Sequence, residues 1–457
     1  MTVTQYKKLI SNKRISVVGI GVSNIPLIKF LANSGARVTA HDKRTAEQLG
    51  KTYDDLKILG VEFVLGDGYL DGIATDVEII FKTPGLRPDV PQLIAAADKG
   101  AVITSEMELF FELCPCKIIA VTGSDGKTTT TSLIGEMLKK EGYTTYIGGN
   151  IGKPLLDEVE NMKADDKVVL ELSSFQLFLM KHSADVAVVT NVTPNHLDWH
   201  KSFDEYIQSK KSIFKNNKDC RVVLNYDNDI TQGFAEETQN SMYFSRQVEL
   251  DEGVILKDGK IVLRSAGEDT TIISADDIKI PGTHNVENYM AAIGAVYPFV
   301  SIENIDYVAK NFGGVPHRIE LVRELCGVRY YNDSIASSPA RTTAGLKSFN
   351  QKVILIAGGY DKKIPFNEFG AVVNDYVKEL VLVGVTSEKI ETAVKNAPNY
   401  NGLKIHREID FKSAVLKARE CASEGDVVIL SPACASFDLF KNFEERGDTF
   451  KEIVNSL

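Results

Sequence analysis

The segment Thr122-Gly-Ser-Asp-Gly-Lys-Thr128 constrains the fold more than any other stretch of the chain. It follows the apolar, β-branched run KIIAV (117–121) and precedes a threonine-rich helical pattern. A strand that turns through glycines into a helix aims successive backbone N–H groups, and the positive end of the helix dipole, at one point. That geometry wraps a polyphosphate. Gly123, Ser124, Asp125, Gly126 and Thr129 then form the cradle. Lys127 reaches the terminal phosphates, and the Thr128 hydroxyl can ligate Mg²⁺. The full P-loop pattern wants a glycine where Val121 stands, so the motif is a shortened variant.

Strand–loop–helix units recur on both sides of this segment. RISVVGIG (14–21) reads as a buried parallel strand with its turn, a helical pattern runs from Asn24 to Asn33, and ARVTAHD ends a second strand at Asp42. VEFVLG (61–66) and VEIIFKTPG (77–85) add strands. Further candidates follow Lys117 at KVVLELS (167–173), DVAVVTNV (185–192) and CRVVLNYD (220–227). Short alternating runs with Gly, Asp and Ser turns over 242–281 predict a small antiparallel excursion. KVILIAGG (352–359), ELVLVGV (379–385) and DVVILSPA (426–433) make a third α/β set after the linker NFGGVPHR (311–318). A chain of 457 residues has room for about three domains. The expectation is an α/β protein with domains over 1–112, 113–314 and 315–457. The first and third are Rossmann-like, and the central one is a P-loop ATPase-like parallel sheet.

Charge and composition exclude several classes. Lys and Arg total 52 against 62 Asp and Glu, for a formal charge of −10, which argues against non-specific nucleic-acid binding. No run approaches the ~18 apolar residues of a membrane span, and the start MTVTQYKKLISNKR has no signal-peptide core. Six cysteines are too few for a disulfide scaffold in a chain this long. The expected setting is a reducing cytoplasm, with no membrane insertion.

Polar residues concentrate at strand carboxyl ends, where open α/β sheets bind ligands. Glu171-Leu-Ser173-Ser174-Phe-Gln176 closes one strand, and Glu171 could hold Mg²⁺. Asn191 to Asp198, including His196, closes the next, although Asp198 could simply cap the following helix. In the third set, Asn332-Asp333-Ser334, Asp361-Lys362-Lys363 and Ser431 to Asp438 end successive strands, and His317-Arg318 follows the linker. Lys210 and Lys211 lie in a predicted helix, where a lysine is ordinarily a solvated charge. Gly19-Ile-Gly21-Val-Ser-Asn24, with Asp42 twenty-three residues after Gly19, suits a Rossmann-like unit. The missing third glycine leaves a single nucleotide as acceptable as a nicotinamide cofactor.

Seven ordered segments, TGSDGKTTT, ELSSFQL, NVTPNHLDWH, PGTHNVEN, VPHRIE, YNDSIASSP and LSPACASFDLFKNFEERG, resemble the motifs of the ATP-dependent Mur ligases of peptidoglycan synthesis. SSFQL and the C-terminal segment most resemble the D-glutamate-adding branch. The resemblance implies an ATP-dependent acid–amino-acid ligase that acts as a monomer on UDP-N-acetylmuramoyl-L-alanine and D-glutamate, through an acyl phosphate and two Mg²⁺. Val22, Ser23, Asp42, Lys43, Arg44 and Gly85 would then face the uridine diphosphate, and Asn150 the muramoyl part. Lys127, Thr128, Asn288, Arg318 and Asp333 would hold ATP. Thr128, Glu171, Ser173, His196 and a carbamylated Lys210 would serve the metal ions. Lys362, Ser436, Phe437 and Phe443 would bind D-glutamate. The third domain would close over the site.

Two departures from the family pattern bear on this. Ile335 stands where a lysine is common, and Asn195 stands where an aspartate is common before His196. Arg341, at a predicted helix start, could supply the missing charge. Three alternatives stand beside the ligase reading. Another amide ligase of the superfamily, such as a folylpolyglutamate-type synthase, would lack the N-terminal nucleotide unit present here. An NAD-dependent oxidoreductase would leave TGSDGKT without a purpose. A non-catalytic nucleotide-binding subunit would tolerate loss of Glu171, His196 and Lys210.

Overall fold

The computed structural model describes residues 1–73 and 76–457. The chain packs into two compact units, Met1–Ala275 with Glu287–Val308, and Asp276–Val286 with Ala309–Leu457.

The first unit holds two sheets. β1 (Arg14–Val18), β2 (Arg37–Asp42), β3 (Glu62–Leu65), β4 (Ile79–Lys82) and β5 (Val102–Thr104) form an all-parallel sheet in the order β3-β2-β1-β4-β5. β1 lies in the middle because Ile15, Ser16, Val17 and Val18 are all buried, as both faces of a central parallel strand require. The chain leaves β1 through Gly19 at φ 91°, where a Cβ would come within 2.9 Å of the Thr83 side chain.

The second sheet comprises β6 (Lys117–Thr122), β7 (Thr145–Gly149), β8 (Lys167–Glu171), β9 (Val186–Val189), β10 (Arg221–Asn225), β11 (Ser241–Ser245), β12 (Gly253–Lys257), β13 (Lys260–Ser265) and β14 (Glu268–Ser274). Its order is β14-β13-β12-β11-β10-β9-β6-β8-β7. β8 and β9, which follow β6 in the parallel part, pair on opposite sides of it. Their carboxyl ends therefore flank the loop after β6 at a topological switch point. The antiparallel excursion is smaller than 242–281: β11 and β12 still pair parallel, and only β12-β13-β14 alternate in direction. Gly259 at φ 73° turns β12 into β13.

The second unit carries β15 (Glu320–Leu325), β16 (Val328–Asn332), β17 (Val353–Ala357), β18 (Val377–Leu382), β19 (Lys404–Arg407) and β20 (Val427–Leu430), ordered β15-β16-β20-β17-β18-β19. Only β15 runs antiparallel to its neighbour. The architecture is thus α/β with parallel-dominated sheets. Predicted strands end several residues late, because GIG, TPG, LSS and GG belong to the turns at the carboxyl edges. Among the described residues no helix is long and apolar enough to cross a membrane.

Candidate active site

At the end of β6 the chain turns through Gly123 (φ 151°) and Gly126 (φ 79°) into the helix Lys127–Glu141. Both glycines are required by close approach. A Cβ on Gly123 would lie 1.9 Å from Thr190 Oγ1, and one on Gly126 would lie 2.4 Å from Asn288 Oδ1. The loop is clamped from the β9 side. Ser124 N donates to the Asn191 carbonyl at 2.8 Å, Asp125 N to Asn191 Oδ1 at 2.9 Å, and Thr190 Oγ1 to the Asp125 carbonyl at 2.5 Å. Lys127 Nζ bonds the Gly123 and Ser124 carbonyls at 3.0 and 2.8 Å, and Thr128 is buried beside it. Asn288 also accepts from Thr130 Oγ1 at 3.3 Å, so it sits against the loop rather than apart from it.

Glu171 ends β8 and is 2% exposed. Asn150 Nδ2 donates to its Oε1 at 2.8 Å, whereas Oε2 is buried with no hydrogen-bond partner among the described residues. A buried carboxylate oxygen left unpaired is costly, and a hard divalent cation is the partner its chemistry suits. Asn150 is brought there by Gly149, whose φ of 94° and absent Cβ let it approach the Glu171 carbonyl. Ser173 caps the short helix Ser174–Leu177 in a reciprocal box with Gln176.

His196 sits on the exposed loop after β9 at φ 55°, an uncommon conformation for a residue with a Cβ. Partial burial lowers its pKa, opposed by Asp198 and reinforced by Lys127 and Lys210. The shift favours the neutral imidazole, the form that ligates metals. Asp198 does not cap the next helix; Ser202 does, accepting from Glu205 N at 3.0 Å.

Lys210 departs furthest from the surface expectation. It is 1% exposed, with Nζ 2.8 Å from the Gly123 carbonyl and over the Tyr206 ring at 4.5 Å. Burial, then the Lys127 charge, lowers its pKa well below the usual lysine value. The helix Phe203–Lys211 turns this face inward because Tyr206, also buried, donates or accepts at Ser124 Oγ (2.9 Å). Sequence reasoning missed Tyr206 and also Phe175, whose ring lies 4.8 Å from that of His196 and 4.9 Å from that of Trp199. The aromatic spacing in HLDWH and SSFQL was the available signal.

In the first sheet, Asp42 is committed within the protein. Its carboxylate accepts from Ile20 N (2.7 Å) and from the Arg44 backbone and guanidinium (2.8–2.9 Å). Burial opposes ionisation, but these bonds outweigh it and bring the carboxyl down to about 2. Asn24, in place of the third glycine, donates to the Gly19 carbonyl at 2.8 Å and closes the turn. Val22 and Lys43 are exposed beside it, and Ser23 precedes the helix Asn24–Asn33. Gly85 is exposed, and its carbonyl receives Trp199 Nε1 at 2.8 Å.

The second unit gathers its own strand tips. Asp333, after β16, is buried and accepts from Ser431 Oγ, after β20, at 2.7 Å. Burial pushes its carboxyl up to about 7, against the pull of that bond, the Ile319 N–H, Arg318 and Arg341. Tyr360 N, after β17, donates to the Ala435 carbonyl at 2.9 Å. Lys362 is exposed, with Nζ 3.2 Å from both the Ser337 carbonyl and hydroxyl. Ser436 is buried, Phe437 is 63% exposed, and the Phe443 ring lies 5.9 Å from His317. Arg341 Nη1 reaches the Ile335 carbonyl at 3.4 Å. Arg446, which sequence reasoning missed, is buried and donates to Ser334 Oγ and to the carbonyls of Ser334, Cys434 and Ala435.

Three sequence families match in order. Residues 13–105 match the MurD-like N-terminal domain of Mur ligases, 121–296 the Mur ligase middle domain, and 317–434 the Mur ligase glutamate ligase domain. The UDP-N-acetylmuramoylalanine--D-glutamate ligase of Acetivibrio thermocellus is 55% identical, over 99% of this chain and 98% of its own. The protein of the same name from Clostridium novyi is 51% identical over 100% and 99%. Among solved structures, the UDP-N-acetylmuramate-alanine ligase of Thermotoga maritima shares the fold, with a TM-score of 0.56 at 18% identity over 97% of this chain and 99% of that one. Full-length identity of this order, with the three domains in sequence, places the chain in the Mur ligase family.

Proposed function

We propose that this chain uses ATP to join D-glutamate to the alanyl carboxyl group of UDP-N-acetylmuramoyl-L-alanine, acting as a monomer in cytoplasmic peptidoglycan precursor synthesis. The observation that carries the reading is the phosphate loop after β6 set beside a buried, half-unpaired Glu171, in a chain 55% identical over its length to a relative named for that reaction.

The chemistry follows from charge. A carboxylate is a poor acyl donor, so one of its oxygens attacks the γ-phosphorus of ATP, ADP leaves, and an acyl phosphate forms. The amine of D-glutamate then attacks the acyl carbon. The tetrahedral intermediate collapses by expelling inorganic phosphate, and the amine proton passes to solvent. Bringing anionic oxygens together in the first step requires positive charge and fixed N–H donors. Lys127 and the amides of Gly126 to Thr129, at the start of the helix, supply both, while the Ser124 and Asp125 N–H groups hold the loop to Asn191.

Glu171 through its unpaired Oε2, with Thr128, Ser173, His196 and Lys210, would hold two Mg²⁺. When bound, these ions neutralise the phosphate oxygens and polarise the transferred group. Lys210 fits that set only as its carbamate, which converts a cation into an oxygen donor. A buried amine with a lowered pKa is the neutral nucleophile that CO₂ requires. Val22, Ser23, Lys43, Arg44 and Gly85 would bind the uridine diphosphate, with Asp42 fixing Arg44 in place, and Asn150 would meet the muramoyl part. Asn288, Arg318 and Asp333 would contact the nucleotide, and Lys362, Ser436, Phe437 and Phe443 the incoming amino acid.

The test is ATP-dependent phosphate release with UDP-N-acetylmuramoyl-L-alanine and a panel of amino acids. Release with D-glutamate, and little with L-glutamate, is expected. No ADP and no new amide bond with all three reactants present would overturn the reading.

A further inference from the structure

β18 and β19 form the outer edge of the second unit's sheet, with Glu379 facing Lys404 in the pairing register. Glu379 Oε2 lies 2.9 Å from His406 Nε2, and Cys421, the last residue of the helix Phe411–Cys421, places Sγ 3.5 Å from the same nitrogen. All three ligand atoms lie within 4.8 Å of one another, and all three residues are half-buried. None of them takes part in the site described above.

We infer that Glu379, His406 and Cys421 form a binding site for a zinc-like divalent transition metal ion. Zinc–sulfur and zinc–nitrogen bonds of about 2.3 and 2.05 Å around a tetrahedral centre set the two donor atoms about 3.55 Å apart, and nitrogen and oxygen about 3.4 Å apart. The observed 3.5 and 2.9 Å need only about half an ångström of opening on the Glu379 side. The donor set is one soft thiolate, one imidazole and one carboxylate, which selects zinc over Mg²⁺. The second oxygen of Glu379 has its own partner, Lys404 Nζ at 3.4 Å, so the carboxylate is oriented from behind as metal-ligating carboxylates usually are. Three protein ligands leave the fourth position to water. Binding displaces the Cys421 S–H proton to solvent and replaces the His406–Glu379 hydrogen bond. It ties the edge strand β19 to the C-terminal end of the helix Phe411–Cys421.

The full-length protein, stripped with a chelator, is titrated with Co²⁺ and then with competing Zn²⁺. One equivalent per chain is expected to carry a thiolate-to-cobalt charge-transfer band that Zn²⁺ abolishes, while Co²⁺ held at the Mg²⁺ site gives no such band. Cys421→Ser removes the band and weakens Zn²⁺ binding by at least about tenfold, as does His406→Ala. Cys326→Ser, which alters an exposed thiol elsewhere, leaves both unchanged. Should Cys421→Ser fail to fold by circular dichroism, Glu379→Gln carries the same affinity test. Identical titrations for wild type and these variants, or binding without the thiolate band, overturn the site.

Discussion

Lys210 Nζ and Lys127 Nζ share one acceptor, the carbonyl oxygen of Gly123, at 2.8 and 3.0 Å. Two lysines on one oxygen repel unless one is neutral, and the buried Lys210 is the one whose proton is disfavoured. Lys210→Ala is expected to lower kcat by about 10²–10³-fold, comparable to loss of one transition-state contact, with an unchanged circular dichroism spectrum. If the amine works as its carbamate, wild-type activity falls in CO₂-depleted buffer and returns with bicarbonate. Short carboxylic acids should partly rescue the alanine variant. A kcat insensitive to CO₂ would discard the carbamate.

Asn150 fixes Glu171 through Oε1 and leaves Oε2 unengaged. Removing such an orienting partner characteristically weakens a metal site about 10–100-fold. Asn150→Ala should therefore raise the Mg²⁺ concentration for half-maximal activity by that factor, with a smaller change in kcat at saturating Mg²⁺. Glu171→Gln should abolish turnover at any Mg²⁺ concentration. Steady-state rates across a Mg²⁺ series separate the two outcomes.

Arg87, in the loop after β4, joins the loops of the first two sheets. It pairs with both oxygens of Glu205 (2.9 and 3.1 Å) and both of Asp89, and its guanidinium lies 4.8 Å from the Trp199 ring. A half-buried bidentate pair of this kind is worth about 1.5–3 kcal/mol, and Arg87→Lys should recover little of it because the fork is lost. Hydrogen bonds from Arg87, against a smaller cost of burial, hold the Glu205 carboxyl down to about 2, below its ordinary 4.5. A depressed carboxyl stabilises the fold above its unfolded pKa, and that stability is lost as pH falls through the folded one. The gap in urea midpoint between wild type and Glu205→Gln should be full at pH 6 and shrink as pH falls from about 4.5 toward 2.

Much of this was readable in the chain because glycines and strand ends mark where backbone must bend. TGSDGKT, the helix Asn24–Asn33 and the central buried strands carry their own periodicity. β15 and β19 escaped notice because ELVREL and KIHR are short, polar edge strands whose residues are only half-covered. β11 looked antiparallel because its neighbours turn tightly, whereas it follows a crossover from β10 and pairs parallel. Lys210 could not be told from Lys211 by helix pattern alone. Its burial is set by Gly123 and Tyr206, which are far from it in sequence or on another turn, and only the resemblance singled it out.

Arg446 lies in the C-terminal segment that carries the resemblance but receives no role from the sequence, since an arginine in FEERG on an amphipathic helix ordinarily faces water. Here it is a buried cation with no ion-pair partner among the described residues, and burial, against the weaker pull of Cys434 and Asp438, lowers its pKa to about 10. Its guanidinium instead satisfies Ser334 Oγ and the carbonyls of Ser334, Cys434 and Ala435 at 2.8–3.2 Å, so one side chain ties the tips after β16 and β20 together. Truncation leaves the Ser334 and Cys434 carbonyls without a donor, whereas the Ala435 carbonyl keeps Tyr360 N and Ser334 Oγ keeps the Phe443 carbonyl. Each buried carbonyl left unpaired costs about 1–3 kcal/mol where water cannot reach it. Arg446→Ala is expected to destabilise the protein by about 2–6 kcal/mol, the cost of two buried carbonyls left without a donor. Arg446→Lys, with three donors on a flexible stem, should fold but leave part of the set unpaired. If these tips position the incoming amino acid through Ser436, the lysine variant raises the KM for D-glutamate severalfold while the KM for ATP stays put. Equal rises in both would show that Arg446 maintains the unit's stability without shaping the amino-acid site.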